Sequence, residues 1–408
     1  MFENYFKRFG FLPPVITDIP TKNIGIVVVI PCYDEPHLEN TLFSLLSCTL
    51  PPVAVEVLVV INAPANATKE VLEQNNKSLS VAKEFSEKYS NSHLRFYFIE
   101  NYNLPQKHAG VGLARKIGMD EAAYRFAFVH NLSGLIVCLD ADCTCKKNYF
   151  LEIYQYFKEQ PKCHAASLYF EHPLNGTDFE NRIYKVIAEY ELHLRYYKQA
   201  LKWAGFPFAF HTIGSCMAVR AEAYMQQGGM NKRKAGEDFY FLHKHIPLGN
   251  FGEINTTCVY PSPRPSHRVP FGTGKTIGRQ LLQPNELSTY NLLSFSDLKF
   301  FFKQVNDSCF SFSTLPISVQ KFIPEKEWQN KLYEFEKNSG SQELFLKRFY
   351  LWFDAFKVLK FLHFARESFF TDVPISAAAK ELLMSKGVLT ESKMIPELLC
   401  IYRNLDRT

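Results

Sequence analysis

Residues 24–30, IGIVVVI, form an unbroken β-branched apolar run. A half-exposed strand or a surface helix would interrupt it with polar residues. A continuous run suits a strand buried on both faces, as in a parallel sheet covered by helices. Similar runs recur as VEVLVVI (55–61) and GLIVCL (134–139), and a further strand is expected over 94–100. Helical patterns fall between them, over 38–48, 69–89 and 112–125. Pro31 is expected to end the first strand, because proline breaks a ladder. Strands alternating with helices predict βαβ units and a doubly wound, mostly parallel α/β sheet. From about Asn291 the character changes. DLKFFFKQV, ELFLKRFYLWFDAFKVLKFLHFA and AAAKELLMSKGV carry helical periodicity, which predicts a mainly helical C-terminal region over 291–408. Its aromatic stripe reads first as packing, with a membrane or partner face as the alternative.

Composition narrows the class. A chain of 408 residues suggests two domains, or one large domain with an appendage. Hydrophobic residues at 47% and charged residues at 21% exclude a disordered chain. The net charge of +5 does not mark a nucleic-acid binder. It suits an anionic small ligand, or weak peripheral contact with an acidic membrane surface. The most apolar run is about nine residues, short of the roughly 20 needed to span a bilayer. MFENYFKRFGFLPP lacks the apolar block of a secretory leader. Cys138, Cys143 and Cys145 lack paired zinc-site spacing. Free thiols in a reducing cytoplasm are the simpler expectation.

Ligands on such sheets bind beyond the carboxyl ends of the strands. Polar residues follow each apolar run as that demands: Pro31-Cys32-Tyr33-Asp34-Glu35, then Asn62, then Asp140-Ala141-Asp142. Two carboxylates one residue apart in extended chain point the same way and suit a hard divalent cation. Asp34-Glu35 can accept hydrogen bonds from a base or ribose, or cap the helix that starts near Leu38. Lys107 to Arg115, KHAGVGLAR, is a glycine-bearing loop running into a helix. It reads either as a phosphate site or as an ordinary flexible loop. Glu237-Asp238 opens an apolar-periodic helix, as a cap or as a general base. The stretch SPRPSHRVPFGTGK (262–275) offers Arg264 and Arg268 to phosphates and His267 to a metal.

Four pieces, VVVIPCYDEPHLENTLFSLL, LIVCLDADC, GSCMAVRAEAYMQQGGM and GEDFYFLHK, occur in this order over roughly residues 24–245. Together they resemble a family-2-type glycosyltransferase of the GT-A fold. The resemblance implies a Rossmann-like, mostly parallel sheet flanked by helices. Three segments are then expected: a lead-in at 1–22, the transferase domain at 23–290 and the helical region at 291–408. It also implies a nucleotide-sugar donor, a divalent metal (Mn2+ or Mg2+) and transfer to an acceptor hydroxyl with inversion. That hydroxyl would belong to a glycan, a lipid-linked chain or a small molecule. Asp238 takes the place of the family's base, with Glu237 beside it. The donor-binding set is then Pro31, Tyr33, Asp34, Glu35, Asn62, Lys107, Arg115, Asp140, Ala141, Gly214, Arg264 and Arg268. The metal set is Asp140, Asp142 and His267.

Three departures from the family pattern bear on substrate. Asn62 stands where an aspartate is usual, and it can still bond a uracil or guanine edge. The Gln-x-x-Arg-Trp motif of processive synthases and their membrane helices are absent, which predicts a non-processive enzyme. The SHRVPFGTGK stretch and the helical tail match no subgroup. Other classes would look different. A sugar-phosphate nucleotidyltransferase expects a Gly-rich, Arg-bearing loop where PCYDEP stands. A retaining transferase would share the donor site and use Asp238 to position the acceptor. A non-catalytic sugar-binding module would have no need of Asp140, Asp142 and Asp238.

Overall fold

The computed structural model describes residues 2–266, 272–283, 285–308, 310–389, 391–392 and 394–408. The chain divides into two compact units: Met1–Phe179 with Thr212–Gly278, and Glu180–His211 with Arg279–Asp406.

The first unit is built on one sheet. Its strands are β1 (Ile24–Cys32), β2 (Ala54–Pro64), β3 (Leu94–Leu104), β4 (Leu135–Cys138), β5 (Thr144–Cys145), β6 (Ala165–Phe170), β7 (Met217–Arg220) and β8 (Phe251–Tyr260). Among the described residues their order is β3-β2-β1-β4-β7-β6-β8-β5. The pairs β3-β2, β2-β1 and β1-β4 are parallel. Beyond them β7 runs antiparallel to both β4 and β6, and β6 and β8 are parallel again. The arrangement is therefore mixed, with its parallel half formed by the strands that the apolar runs predict.

Helices flank the sheet in chain order. They are α1 (Phe2–Phe9), α2 (Leu38–Leu46), α3 (Lys69–Tyr89), α4 (Val111–Phe128) and α5 (Tyr149–Glu159). Then, in chain order, come α7 (Ala221–Gln226), α8 (Glu237–His245) and α9 (Thr273–Gln280), while α6 (Asn181–Trp203), which lies between α5 and α7 in the chain, belongs to the second unit.

Two strand expectations need correction. Pro31 does not end β1, which continues to Cys32. Pairing with β4 stops at Val29 opposite Cys138, while Pro31 sits opposite Val60 of β2. Past Val29 no described strand pairs with β1 on the β4 side, so the missing N–H of Pro31 costs no ladder bond there. β2 and β3 also outrun their apolar cores, with Asn62 paired to Asn101. Their polar ends extend the sheet toward the region where ligands bind.

The lead-in is part of the first unit. α4 buries Arg115, Lys116, Asp120, Glu121 and Arg125, and the lead-in supplies partners for several of them. Tyr5 Oη donates to Asp120 at 2.6 Å, the Phe11 N–H donates to Asp120 and the Val15 N–H donates to Glu121. Arg125 binds Glu56 of β2 and the Asp18 carbonyl. Buried charge survives only when paired in this way.

The second unit is helical. It contains α6 and α10 (Leu292–Asn306), α11 (Ile317–Phe322), α12 (Glu325–Lys337), α13 (Gln342–Trp352), α14 (Ala355–Ser368), α15 (Ile375–Ser385) and α16 (Ile395–Arg407). Phe301, Phe302, Trp328, Phe349 and Phe353 are fully buried against one another. The aromatic stripe is core at these positions. A buried ionic network joins α6 to the chain end: Arg195 to Glu191 and Asp406, Lys198 to Asp406, and Arg403 to Glu191. Among the described residues no helix is long and apolar enough to cross a membrane.

Candidate active site

The sheet order reverses direction at β1, whose neighbours β2 and β4 lead outward on opposite sides. A crevice forms where such an order reverses, beyond the strand ends. The acidic motifs leave β1 and β4 at that place.

After β1, Asp34 adopts a left-handed backbone with φ 50°. For a residue other than glycine that conformation persists only when its surroundings hold it. α3 supplies them. The Asp34 N–H donates to Asn75 Oδ1 at 2.9 Å, and Asn75 Nδ2 donates to the Asn62 carbonyl at 3.0 Å. The Glu35 carbonyl accepts from Gln74 and Ser78. Neither acid caps α2, whose N-cap is His37 without a side-chain bond. Instead Glu35 accepts the His37 N–H at 2.9 Å and forms a bidentate pair with Arg264. Glu35 is buried, and Tyr33 and Asp34 are half-buried.

After β4, the Ala141 carbonyl accepts from Thr41 Oγ1 of α2 at 2.8 Å. Ala141 is buried, while the Asp140 and Asp142 side chains are 36% and 26% exposed. With that backbone anchored, both carboxylates keep part of their surface open to solvent. Ligand atoms of Asp140, Asp142 and Cys143 lie within 4.8 Å of one another. Burial and the neighbouring carboxylates push the Cys143 thiol well above its usual range, so it stays protonated. The donors this group offers are therefore carboxylate oxygens, which suit a hard cation such as Mg2+ or Mn2+.

Arg115 unites the two acidic motifs. Its buried guanidinium bonds Asp140 through one nitrogen and Glu237 through another. Gly214 packs against that guanidinium, and any Cβ there would collide with it. Glycines of the 107–115 loop serve packing as well. A Cβ on Gly110 would meet Lys234, and one on Gly112 would strike the Arg233 carbonyl and Glu237. Their smallness lets the segment that carries Glu237 lie against the start of α4. Lys107 is exposed beside them.

Glu237 and Asp238 open α8 behind Gly236, which adopts a left-handed conformation. Burial raises the Glu237 carboxyl to about 7, opposed by Arg115 and reinforced by Asp238. Burial also raises Asp238, against the pull of Arg115 and of the Phe239 and Gly214 N–H groups. Asp238 keeps some solvent exposure, whereas Glu237 does not. The structure thus brings Arg115, Asp140, Gly214, Glu237 and Asp238 together, with Asp142, Glu35 and Arg264 forming a second connected group. His267 and Arg268 lie outside the described residues.

A sequence profile described as "Glycosyltransferase like family 2" matches residues 23–244. The chain belongs to this family. It is a glycosyltransferase of the GT-A fold, and its acidic motifs fall within or beside the matched segment. Among solved structures, this glycosyltransferase is similar to S. aureus TarS 1-349 in complex with UDP. That pair shares 14% identity over 89% of this chain and 92% of that one, with a TM-score of 0.38. The complex of TarS 1-349 with UDP-GlcNAc gives 13% identity, coverage of 94% and 90%, and the same TM-score. None of the curated proteins compared with it matches.

Several of the glycosyltransferase's site contacts carry no signal in the sequence. Gln74, Asn75 and Ser78 sit on a long polar helix, where nothing local separates them from solvent-facing neighbours. The pairing of Arg264 with Glu35 joins residues far apart in sequence, and no spacing signals it.

Proposed function

We propose that this enzyme transfers a sugar from a nucleoside-diphosphate donor to an acceptor hydroxyl, without processive extension and with inversion at the anomeric carbon. The carrying observation is Arg115. By bonding both Asp140 and Glu237 it makes the Asp-x-Asp loop and the Glu-Asp pair parts of one site.

In this reading Asp34, Glu35 and Asn62 receive the nucleoside, and Asp34 is pre-set by α3. Asp140 and Asp142 hold the divalent cation, which supplies Lewis-acid stabilisation of the leaving diphosphate when bound. Asp238 accepts the acceptor's proton as its oxygen attacks the sugar. Burial makes Asp238 a stronger base than an exposed aspartate, and its exposed portion leaves it open to substrate. Glu237, bonded to Arg115, positions the start of α8. Lys107 and Arg264 contribute cations toward the phosphates.

The direct test presents a panel of nucleotide sugars and simple hydroxyl acceptors with Mn2+, and follows product anomers by NMR. Inverted configuration at the transferred sugar is expected. Retained configuration would remove the base role from Asp238 and leave the donor site standing.

A further inference from the structure

Arg264 lies between two acids that leave different strands. Its guanidinium bonds both carboxylate oxygens of Glu35, at 3.3 and 2.5 Å, and its Nη2 is also 3.7 Å from Asp142 Oδ2. Glu35 is 1% exposed and the Arg264 side chain 19%. One cation thus spans the loops after β1 and β4. The other acid of the motif, Asp140, is bonded by Arg115. Each carboxylate of Asp140-Ala141-Asp142 already faces a guanidinium belonging to the chain itself.

A resident cation changes what the pair of aspartates can bind. Charges a few ångströms apart in a partly desolvated site interact strongly. A divalent ion approaching Asp142 alone therefore meets repulsion from Arg264 as well as attraction from the carboxylates. A diphosphate arriving with the ion changes the balance. A guanidinium fork pairs with phosphate as readily as with carboxylate, so Arg264 can release Asp142 and stay paired.

We propose that Arg264 is the built-in counter-ion of the donor site. It suppresses binding of a divalent cation by itself, and yields Asp142 when the cation comes with a diphosphate. This rests on the reading of Asp142 as a metal ligand. It makes metal and donor bind as a coupled unit, each raising the other's affinity by the same factor.

The test is Mn2+ binding to the full chain without nucleotide, read from the electron paramagnetic resonance of the free ion. Arg264→Gln should bind Mn2+ about tenfold more tightly than the unaltered chain, the scale of one removed like charge at a partly exposed site. That variant takes its guanidinium partner from buried Glu35, so the double variant Glu35→Gln, Arg264→Gln is measured beside it. Circular dichroism identifies which variants are folded. Tighter Mn2+ binding in either folded variant supports the proposal. Unchanged or weaker binding overturns it, and the metal reading survives if Asp142→Asn loses the Mn2+ binding that the unaltered chain shows. If Mn2+ binds none of these proteins, or binds Asp142→Asn as well as the unaltered chain, the proposal and the metal reading fall together.

Discussion

Asp238 and Glu237 are adjacent carboxylates with different surroundings, and the difference sets what each can do. Glu237 is buried and bonded to Arg115. Asp238 is bonded by backbone N–H groups and reaches solvent. Replacing Asp238 by Asn keeps the shape and removes the proton acceptor. General-base assistance typically contributes about 10²–10⁴-fold, so turnover of Asp238→Asn should fall by that factor in steady-state assays. Its thermal stability at neutral pH should rise. A carboxyl whose folded pKa lies above its unfolded value destabilises the fold once ionised, and the amide removes that cost. A loss of rate together with a loss of stability would mark a structural residue instead. The pH profile follows from the same shift. Asp238 acts as the anion, and its raised pKa moves protonation toward neutrality. The acid limb of kcat/KM should therefore lie above the usual aspartate value of about 3.9, with activity falling as pH falls through it. A limb at the ordinary value would count against Asp238 as the titrating base. At this scale the carboxylates were legible in the sequence, because each follows an apolar run or opens a helix. Arg115 and Arg264 were legible as candidate donor-site cations, but their pairing with these acids was not, because it joins residues distant in the chain.

At the scale of elements, the approach of α8 to α4 depends on glycines. Gly112 lies in the first turn of α4, where Gly→Ala would ordinarily stabilise a helix by about 1 kcal/mol. Here the added Cβ would strike the Arg233 carbonyl and the Glu237 side chain. Gly112→Ala is therefore expected to destabilise by roughly 1–3 kcal/mol, the usual cost of overpacking. It should also reduce turnover, since the backbone it displaces carries the Glu-Asp pair. Denaturant unfolding and kinetics check the two effects, and a stabilised, fully active variant would contradict the packing account. The GVG pattern was visible in the sequence, but its purpose was not. A phosphate loop and a helix-packing contact both require glycine, and only the neighbouring chain distinguishes them.

At the scale of the molecule, the two units are not successive in the chain. α6 lies within the stretch matched by the family profile, yet it packs in the helical unit. It carries Glu191, Arg195 and Lys198, whose partners Arg403 and Asp406 lie near the end of the chain. A truncated chain of residues 1–290 would remove Arg403 and Asp406 from this buried network, along with the helices that cover it. It is expected to be insoluble or to lack cooperative unfolding, and a soluble truncate with a sharp calorimetric transition would refute this. Acid should weaken the protein too. Burial lowers His245 to about 3 and His193 to about 4. Unfolded, each histidine titrates near 6.5. The unfolded chain therefore binds the extra protons, so stability is full above about 6.5 and is lost as pH falls toward the folded values. Neutral His245, with both ring nitrogens unpartnered and buried, should cost about 1.4 kcal/mol for each pH unit below 6.5. Glu237, with its raised pKa, gains stability over the same range, so thermal melts between pH 7 and 5 are compared for the unaltered chain and His245→Phe: a shallower decline in the variant is expected, and equal slopes would overturn it.

What the sequence determined by itself was local or periodic. The β-branched runs specify buried parallel strands, because a polar residue on either face of such a strand needs a buried partner, as Glu56 of β2 has in Arg125. Acids placed directly after them mark the ligand-binding end of the sheet, because strand ends open there. Helical periodicity identified the C-terminal region. The tertiary structure decided which distant groups share a site. Arg115 spans Asp140 and Glu237, Arg264 spans Glu35 and Asp142, and Asn75 holds Asp34 in a left-handed conformation. It also placed α6 with the chain end instead of with its sequence neighbours. The physical reason is common to all of these. Buried charges and polar groups must find partners, and which partner lies within reach depends on how the elements pack.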